Sequence, residues 1–192
     1  AALVGCGLGP GEETGTATLW VTRDYGSQVI VDKRDQPVNE SSTSMRILDG
    51  NVDLETAYGG GFVQAVNGIA GQTESGRRSD WFFSVNGIVA ERGSAEFPVT
   101  EGDLVWWDYR DWSDAMEVGA LVGAYPHPFK GGYDDKDWGV EIDCRGEEAN
   151  CAIVRKQLED EGVELVSRSQ NMVLRVGTWE EIVDTPEGRR IN

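Results

Sequence analysis

The fold is best indicated by two stretches, Gly61-Phe62-Val63-Gln64-Ala65-Val66-Asn67-Gly68-Ile69 and Asp80-Trp81-Phe82-Phe83-Ser84-Val85-Asn86-Gly87-Ile88. Both end in Val-Asn-Gly-Ile after a strand-like run. Asn-Gly supplies the two residues of positive φ that a type I′ turn requires, so each copy predicts the tip of a tight hairpin. Gly71 to Arg78, between the hairpins, is predicted to be a polar loop that can move.

Side chains along a strand alternate between its two faces. In the second stretch Trp81 and Phe83 share one face, and Phe82 lies on the other. The run from Leu104 to Tyr109 likewise carries aromatic residues on both faces. These strands are therefore predicted to have no simply solvated face, although some rings are expected to stay exposed for a flat ligand.

The chain before these hairpins predicts a further hairpin and one short helix. Ala17 to Thr22 and Ser27 to Val31 are β-rich runs around the turn residues Asp24-Tyr25-Gly26. Val38 to Asp49 contains serine and threonine residues that can cap a helix, and Asp49-Gly50-Asn51 is expected to stop it. One helix among many strands predicts an α+β domain.

After Trp112 the pattern changes to a second, small α+β unit of mixed order. Its helix is expected to turn Ile153, Val154 and Leu158 inward and to stop at Gly162. The predicted strands are Val118 to Tyr125, Val140 to Cys144, Val163 to Val166 and Met172 to Val176. The predicted helices are Cys151 to Glu161 and one that a Thr178-Trp179-Glu180-Glu181 capping box opens.

The sequence thus predicts residues 1–15 as a flexible leader, 16–112 as a first domain and 113–192 as a second. Thirty-four acidic against 17 basic residues give a net charge of −17. Such a surface repels phosphate backbones, which argues against binding of nucleic acids. No window reaches the roughly 18 apolar residues that a membrane-spanning helix needs.

The three cysteines predict two different roles. Cys144 and Cys151 are seven positions apart, at the end of a predicted strand and the start of a predicted helix, so they can come within disulfide reach. A structural disulfide is favoured over a zinc site, because the cysteines and the single His127 do not supply four ligands of the usual kind.

Cys6 follows Leu3-Val4-Gly5, and this tetrapeptide resembles a bacterial lipobox. The resemblance implies cleavage before Cys6, acyl chains on that residue, and an extracytoplasmic protein held at the cell membrane by its lipid alone. Residues 1–5 would then be the remainder of a signal peptide. The alternative is an ordinary apolar N-terminus with a free thiol.

Residues 16–112 resemble the transcobalamin-like C-terminal domain, also called DUF4430. The resemblance rests on Gly61 to Ile69, on Trp81-Phe82-Phe83, on Gly93, and on Glu101-Gly102-Asp103-Leu104-Val105-Trp106. It implies a β-grasp fold, related to soluble-ligand-binding modules, that covers one side of cobalamin in the vitamin carriers. The segment after Trp112 resembles the region C-terminal to this domain in some actinobacterial lipoproteins of unknown function.

The resemblance also implies a ligand surface. Trp81 matches a tryptophan at the corrin edge, Phe62 and Gln64 lie on a strand that approaches the ligand, and Gly93 opens a loop close to it. The helical barrel that completes the site in the carriers has no counterpart, so another protein would have to supply the second wall. The candidate ligand-binding residues are Phe62, Gln64, Trp81, Phe83, Gly93 and Ser94.

Signatures of catalysis are sparse, and no cofactor is expected. The sequence has no Gly-x-Ser-x-Gly, no His-Glu-x-x-His and no phosphate-cradling glycine loop. His127, between two prolines, is favoured as a surface turn residue over a cobalt ligand, and Asp134, Asp135 and Asp137 as a solvated turn over a calcium site. The resulting prediction is a non-enzymatic ligand-binding protein, with cobalamin or another corrinoid as the candidate ligand. The alternative is a cell-surface module that docks a protein or a glycan through a sheet edge or hairpin tips.

Overall fold

The computed structural model describes residues 11–114, 123–134, 136–186 and 188–191. The lipidation site predicted at Cys6 lies outside them. Of these residues, 11–84 and 90–114 form one compact unit, and 85–89 and those from 123 onward form another. In the described ranges no helix is both long and apolar enough to cross a membrane. The chain is a mixture of helices and strands, as the α+β prediction requires.

The first unit is built on a sheet of six strands. Five of its strands have the order β2-β1-β9-β7-β6, and a smaller sheet has the order β3-β4-β5. The sixth strand, β8, pairs with β7 but belongs to the segment 85–89 of the second unit. The strands are β1 Gly15–Arg23, β2 Gln28–Val38, β3 Leu54–Ala57, β4 Phe62–Val66, β5 Ile69–Ala70, β6 Gln72–Glu74, β7 Arg77–Val85, β8 Ile88–Val89 and β9 Leu104–Asp111. β1 is antiparallel to β2 and parallel to β9.

Both Asn-Gly hairpins are confirmed. Asn67 and Gly68 have φ of 51° and 75°, and Asn86 and Gly87 have 52° and 77°, as a type I′ turn requires. The earlier hairpin at residues 24–26 is also confirmed, because β1 pairs with β2 around it.

A short α-helix packs on this sheet. α1, Ser44–Asp49, begins after Thr43, whose side chain accepts a hydrogen bond from the N–H of Arg46, and it ends at Gly50. The helix occupies only the last part of the segment predicted at Val38 to Asp49, because residues 39–43 form a turn before the helix begins. The helix buries Met45, Ile47 and Leu48 in the core of the unit.

β9 is the central strand of the unit, and its residues from Leu104 to Arg110 are all buried. Val105, Trp107 and Tyr109 belong to the main hydrophobic core. Trp106 and Arg110, on the opposite face, are only 6% and 2% exposed. The prediction that neither face is solvated is therefore correct, whereas the accompanying expectation of exposed rings fails on this strand.

The second unit contains β10 Glu141–Cys144 paired in parallel with β11 Val173–Val176, and the helices α2 Glu148–Asp160, α3 Trp179–Ile182 and α4 Gly188–Ile191. The core of this unit is Val140, Leu158 and Met172. α2 ends in a Schellman motif: the N–H of Val163 donates to Leu158, and that of Gly162 to Glu159. The predicted stop at Gly162 and the Thr178–Glu181 capping box are both confirmed.

Three details of the second unit were predicted wrongly or fall partly outside the described residues. Ile153 is 58% exposed, because α2 turns Cys151, Val154 and Leu158 inward and Ile153 lies off that helical face. Val163 to Val166 makes one isolated bridge, from Leu165 to Val140, in place of a strand. Of the strand predicted at 118–125, residues 123–125 have no strand structure and the others lie outside the described ranges.

The disulfide between Cys144 and Cys151 is present and joins the end of β10 to the first turn of α2. The two Cα atoms are 5.9 Å apart, a normal separation for such a bond. The link closes a short loop, which restricts the unfolded chain and so stabilises the folded unit, by about 2 kcal/mol.

Residues 85–89 belong to the second unit although the sequence assigns them to the first domain. Asn86 is completely buried, and its side-chain amide donates to the carbonyl of Gly132 at 3.0 Å. A Cβ at Gly87 would lie 2.9 Å from that of Ala124, so this turn also needs glycine for its close packing.

Candidate functional site

A groove of about 290 Å³ opens on the first unit, where the chain passes from β5 to β6. Its exposed aromatic residue is Phe62, which is 46% accessible to solvent. The lining residues are Phe62, Gln64, Ala70, Gly71, Gln72, Thr73, Arg78, Ser79, Asp80 and Trp112. The groove is thus assembled from β4, from the β5–β6 passage, from β7 and from the residue after β9.

The inner end of the groove depends on a close approach of Gly71 to Asp80. A Cβ on Gly71 would lie 2.8 Å from Oδ1 of Asp80, so no larger residue fits without displacing the carboxylate. The same Oδ1 accepts a hydrogen bond from the N–H of Trp81 at 2.8 Å, which fixes the side chain. Glycine at this position therefore lets the carboxylate line the groove.

One wall is a cation–π pair. The guanidinium of Arg78 lies 3.8 Å from the centroid of the Trp112 ring. Their backbones are also joined: the N–H of Trp112 donates to the carbonyl of Arg78, and the N–H of Arg78 donates to Oγ of Ser113. A ligand that contacts this wall meets side chains already held in place, which reduces the entropic cost of binding.

Three further contacts between aromatic rings and guanidinium groups continue from this pair. Together they form a chain of contacts, here called the ladder, that consists of Arg78, Trp112, Phe82, Arg110 and Tyr25. Trp112 packs edge to face on Phe82, at 6.5 Å between centroids. The guanidinium of Arg110 lies 4.4 Å from the Phe82 ring and 5.4 Å from that of Tyr25. The ladder links the groove wall to the β1–β2 turn within the same unit.

Arg110 is the most unusual member of this ladder. In the described part of the chain, its buried Nε and Nη2 have no hydrogen-bond partner. Removal from water disfavours the charged guanidinium and lowers the pKa of Arg110 below its usual value, an effect that Tyr25 and Asp108 partly oppose. The two rings and the nearby carboxylate of Asp108 offset part of the cost of burying this charge.

The lining side chains offer both hydrogen-bonding groups and an apolar ring to a ligand. Two amides, two hydroxyls and one carboxylate can exchange hydrogen bonds with a polar ligand edge, while Phe62 presents an apolar surface. The ten lining residues include no histidine, cysteine or lysine that could serve as a base or nucleophile.

Two of the predicted ligand residues, Phe62 and Gln64, line the groove. Trp81 does not: it is 7% exposed, packs against Tyr109 at 5.3 Å and donates its indole N–H to the carbonyl of Ile69. The prediction that Trp81 presents its ring to a ligand is therefore wrong. Its face of β7 is the core face, and the indole N–H is already satisfied there.

The remaining predicted ligand residues lie elsewhere. The Phe83 ring is half-buried and stacks on Trp107 at 4.9 Å. Ser94 is 5% exposed, and its carbonyl accepts the N–H of Met45 at the start of α1. Phe83 and Ser94 therefore stabilise the core and the helix instead of facing a ligand. Gly93 is exposed, its carbonyl accepts the N–H of Phe97, and its role toward a ligand stays a prediction.

The sequence reasoning missed the part of the site contributed by residues 71–80. The segment from Gly71 to Arg78, which the sequence predicts to be a polar loop, forms β6, the two-residue turn Ser75-Gly76 and the start of β7. Ser75 and Gly76 have φ of 52° and 84°, as a tight hairpin turn requires. The Ser-Gly pair is therefore the feature of the sequence from which this third hairpin could have been predicted.

The candidate metal ligands outside the groove have other roles. Nδ1 of His127 lies 2.7 Å from the carbonyl of Lys130, which closes its turn. Asp137 accepts the N–H of Trp138, and Asp135 is outside the described residues. Ligand atoms of Cys144, Glu148 and Cys151 lie within 4.8 Å of one another, but the two sulfurs are bonded together and offer no thiolate.

Comparison with known proteins gives one family match. The model of the family described as "Domain of unknown function (DUF4430)" matches residues 41–111, which confirms the DUF4430 resemblance over that segment. No curated protein matches the chain. The chain is also similar to a crystal structure from Ruminococcus gnavus ATCC 29149, a protein to which metal binding is ascribed, with 15% identity and a TM-score of 0.38 over 50% of this chain and 97% of that one.

Proposed function

We propose that this protein is a non-enzymatic, extracytoplasmic ligand-binding protein, held at a membrane by lipid on Cys6. Its binding surface is the groove beside Phe62. The ligand that the transcobalamin-like resemblance implies is cobalamin or another corrinoid.

The sheet of the first unit supports a β-grasp assignment. Its central pair, β1 and β9, is parallel although the two strands are the first and last of the unit, and β2 and β7 lie outside them. α1 packs its Met45, Ile47 and Leu48 into the core of the same unit. This is the arrangement expected when a sheet grasps a single helix, and it leaves β4, β5 and β6 free to build the groove.

The observation that carries the ligand-binding proposal is the exposed ring of Phe62 in a groove that is lined by both polar and apolar groups. Gln64, two residues further on the same face of β4, places an amide beside it. A planar ligand can cover the ring with an apolar face and direct amide or hydroxyl groups at Gln64, Gln72 and Asp80.

The groove covers only one side of such a ligand. Its volume of about 290 Å³ lies at the lower end of the range for sites that enclose drug-sized molecules. An open site leaves much of the ligand in water, so we expect an affinity on the order of micromolar for the isolated chain. A second subunit or protein that supplies the other wall would raise it.

Titration with cyanocobalamin tests the proposed ligand. We expect the corrin absorbance and the tryptophan fluorescence to change together on binding, because Trp112 lines the groove. Phe62→Ala is expected to weaken binding about tenfold, through loss of the covered ring. Ile153→Ala, which removes another exposed apolar side chain in the second unit, is the matched control and should change nothing. No spectral change at high micromolar vitamin would exclude the corrinoid.

The anchor has its own test in cells of the native host. We expect the wild-type protein in the membrane fraction, with a lipid mass on an N-terminal Cys6, and the Cys6→Ser variant in the soluble fraction. Mass spectrometry of the N-terminal peptide measures the mass of any lipid attached to Cys6. An unmodified Cys6 in the wild type would refute the lipid anchor and leave the ligand proposal intact.

A further inference from the structure

The two ends of the six-stranded sheet differ in how they are protected against pairing with another chain. β2, at one end, carries Lys33, Arg34 and Pro37 and has two register irregularities against β1. Such charges, prolines and bulges are the usual means of blocking an edge. β6, at the other end, is Gln72-Thr73-Glu74 and pairs with β7 in unbroken register.

The backbone of Thr73 points to the open side of β6. In a hairpin closed by a two-residue turn, the flanking pair, here Glu74 and Arg77, is hydrogen-bonded, and the next pair, Thr73 and Arg78, is not. The contacts of Arg78 agree, because its N–H donates to Ser113 and its carbonyl accepts from Trp112, both away from β6. The N–H and carbonyl of Thr73 are therefore directed at the free edge.

A second groove of about 290 Å³ lies beside this edge. It is lined by Gln72, Glu74, Ser75, Arg77, Ser79 and Asp111. It shares Gln72 and Ser79 with the groove of Phe62, and Thr73 also lines the Phe62 groove, so the two surfaces adjoin each other.

The charge around this second groove is negative. The guanidinium of Arg77 forms ion pairs with Asp111 and with Asp114, so its single positive charge is outweighed by two carboxylates. Glu74 adds a third carboxylate, and the chain as a whole carries −17. A segment that lies here meets a field that attracts cations and repels acidic chains.

From this edge and this charge we propose that β6 accepts an extended, lysine- or arginine-bearing segment of a partner protein as an added strand. The added strand hydrogen-bonds to the N–H and carbonyl of Thr73, and a cationic side chain on it lies beside Glu74, the carboxylate on β6 itself. β6 has only three residues, so few backbone hydrogen bonds can form and the expected affinity is moderate. Selectivity for basic over acidic segments comes from the charge of the surface. This function goes beyond ligand capture at Phe62 and does not depend on it.

Fluorescence anisotropy of the full chain with a labelled ten-residue peptide of alternating lysine and valine tests the proposal. We expect a Kd on the order of 10 to 100 μM at low salt that weakens several-fold at 0.5 M salt, because screening reduces the attraction between exposed charges. The matched peptide of alternating glutamate and valine should not bind. Equal binding of both peptides, or binding of neither, would overturn the proposal.

Variants on β6 separate strand addition from simple charge attraction. Thr73→Pro removes the outward N–H without touching a β6–β7 hydrogen bond and should weaken binding at least tenfold, whereas Thr73→Val keeps the N–H and should bind normally. Glu74→Gln should weaken binding about threefold, and Glu40→Gln, an exposed charge that lines neither groove, should have no effect.

The peptide itself provides a control that is independent of folding. N-methylation of the alternate amides that face the edge should abolish binding, while methylation of the intervening amides should not. If both methylated peptides bind equally, the lysines alone are recognised and strand addition is refuted. A loss of cobalamin binding in Phe62→Ala, with the peptide still bound, would show that the two functions are separate.

Discussion

Trp107→Ala is expected to destabilise the first unit by about 4 kcal/mol, the range found when a buried tryptophan is truncated to alanine. The ring is 3% exposed and stacks on Phe83 at 4.9 Å. Its indole N–H donates to Oγ of the fully buried Ser44 at 3.1 Å, which ties β9 to the first residue of α1. The substitution therefore leaves a cavity and an unsatisfied hydroxyl at one point.

Urea unfolding followed by far-UV circular dichroism measures this loss. Trp107→Phe is the matched variant: it keeps most of the volume and loses only the hydrogen bond, so about 1 to 2 kcal/mol is expected. Trp179→Ala, at a half-exposed position in the second unit, should cost less than about 0.5 kcal/mol. A Trp107→Ala protein as stable as Trp179→Ala would show that Trp107 is not a core residue.

The sequence predicted the hairpin tips well because a tight turn is a local property. Asn67-Gly68 and Asn86-Gly87 adopt positive φ wherever the strands around them go. The disulfide was predictable for a related reason, since a separation of seven residues between Cys144 and Cys151 restricts how far apart they can be. The short helix followed from its Thr43 cap and its apolar residues.

The candidate site was less predictable because it depends on which elements cover each face. Alternation along β7 correctly separates Trp81 from Phe82, but it does not tell which face is the core. Trp81 lies in the core, and its indole N–H finds the carbonyl of Ile69, a contact between separate strands. Phe62 was predicted as a ligand residue only from the family resemblance, since nothing in its local sequence marks it as exposed; the structure shows that it lines a groove.

The groove also depends on contacts distant in sequence. Arg78 lines it because the residue after β9, Trp112, returns beneath its guanidinium and hydrogen-bonds to its carbonyl. Gly71 is a glycine because Asp80 lies against it. The pattern of a single strand carries no information about such partners, so Gly71 to Arg78 looks like a polar loop when the sequence is considered alone.

The second large effect is expected from Asp108→Ala, which should cost the first unit about 3 kcal/mol. Asp108 is 5% exposed and accepts hydrogen bonds from Oγ1 of Thr22 at 2.6 Å and from the N–H of Tyr25 at 2.9 Å. Tyr25 has a φ of 58°, a strained conformation for a residue other than glycine. Without the carboxylate, the buried hydroxyl loses its acceptor and the strained turn loses its anchor.

The variants Asp108→Asn and Thr22→Val show how the loss of stability in Asp108→Ala is divided between the hydrogen bonds to Thr22 and to Tyr25. An asparagine side chain has one acceptor oxygen for two donors, so Asp108→Asn should lose about half as much as Asp108→Ala. Thr22→Val removes a hydroxyl that donates to Asp108 and accepts the indole N–H of Trp106 at 2.7 Å. Because the residues share one network, the Thr22→Val/Asp108→Ala double variant should be less destabilised than the sum of the single variants.

Asp35→Ala, an exposed carboxylate on β2, is the matched control and should change the free energy of unfolding by less than about 0.5 kcal/mol. Strict additivity in the double variant would mean that Asp108 supports the turn through Tyr25 alone. The turn also brings the Tyr25 ring to within 5.4 Å of the guanidinium of Arg110. Loss of Asp108 should therefore weaken the aromatic contact that compensates for the buried charge, which is why a single carboxylate has so large an expected effect.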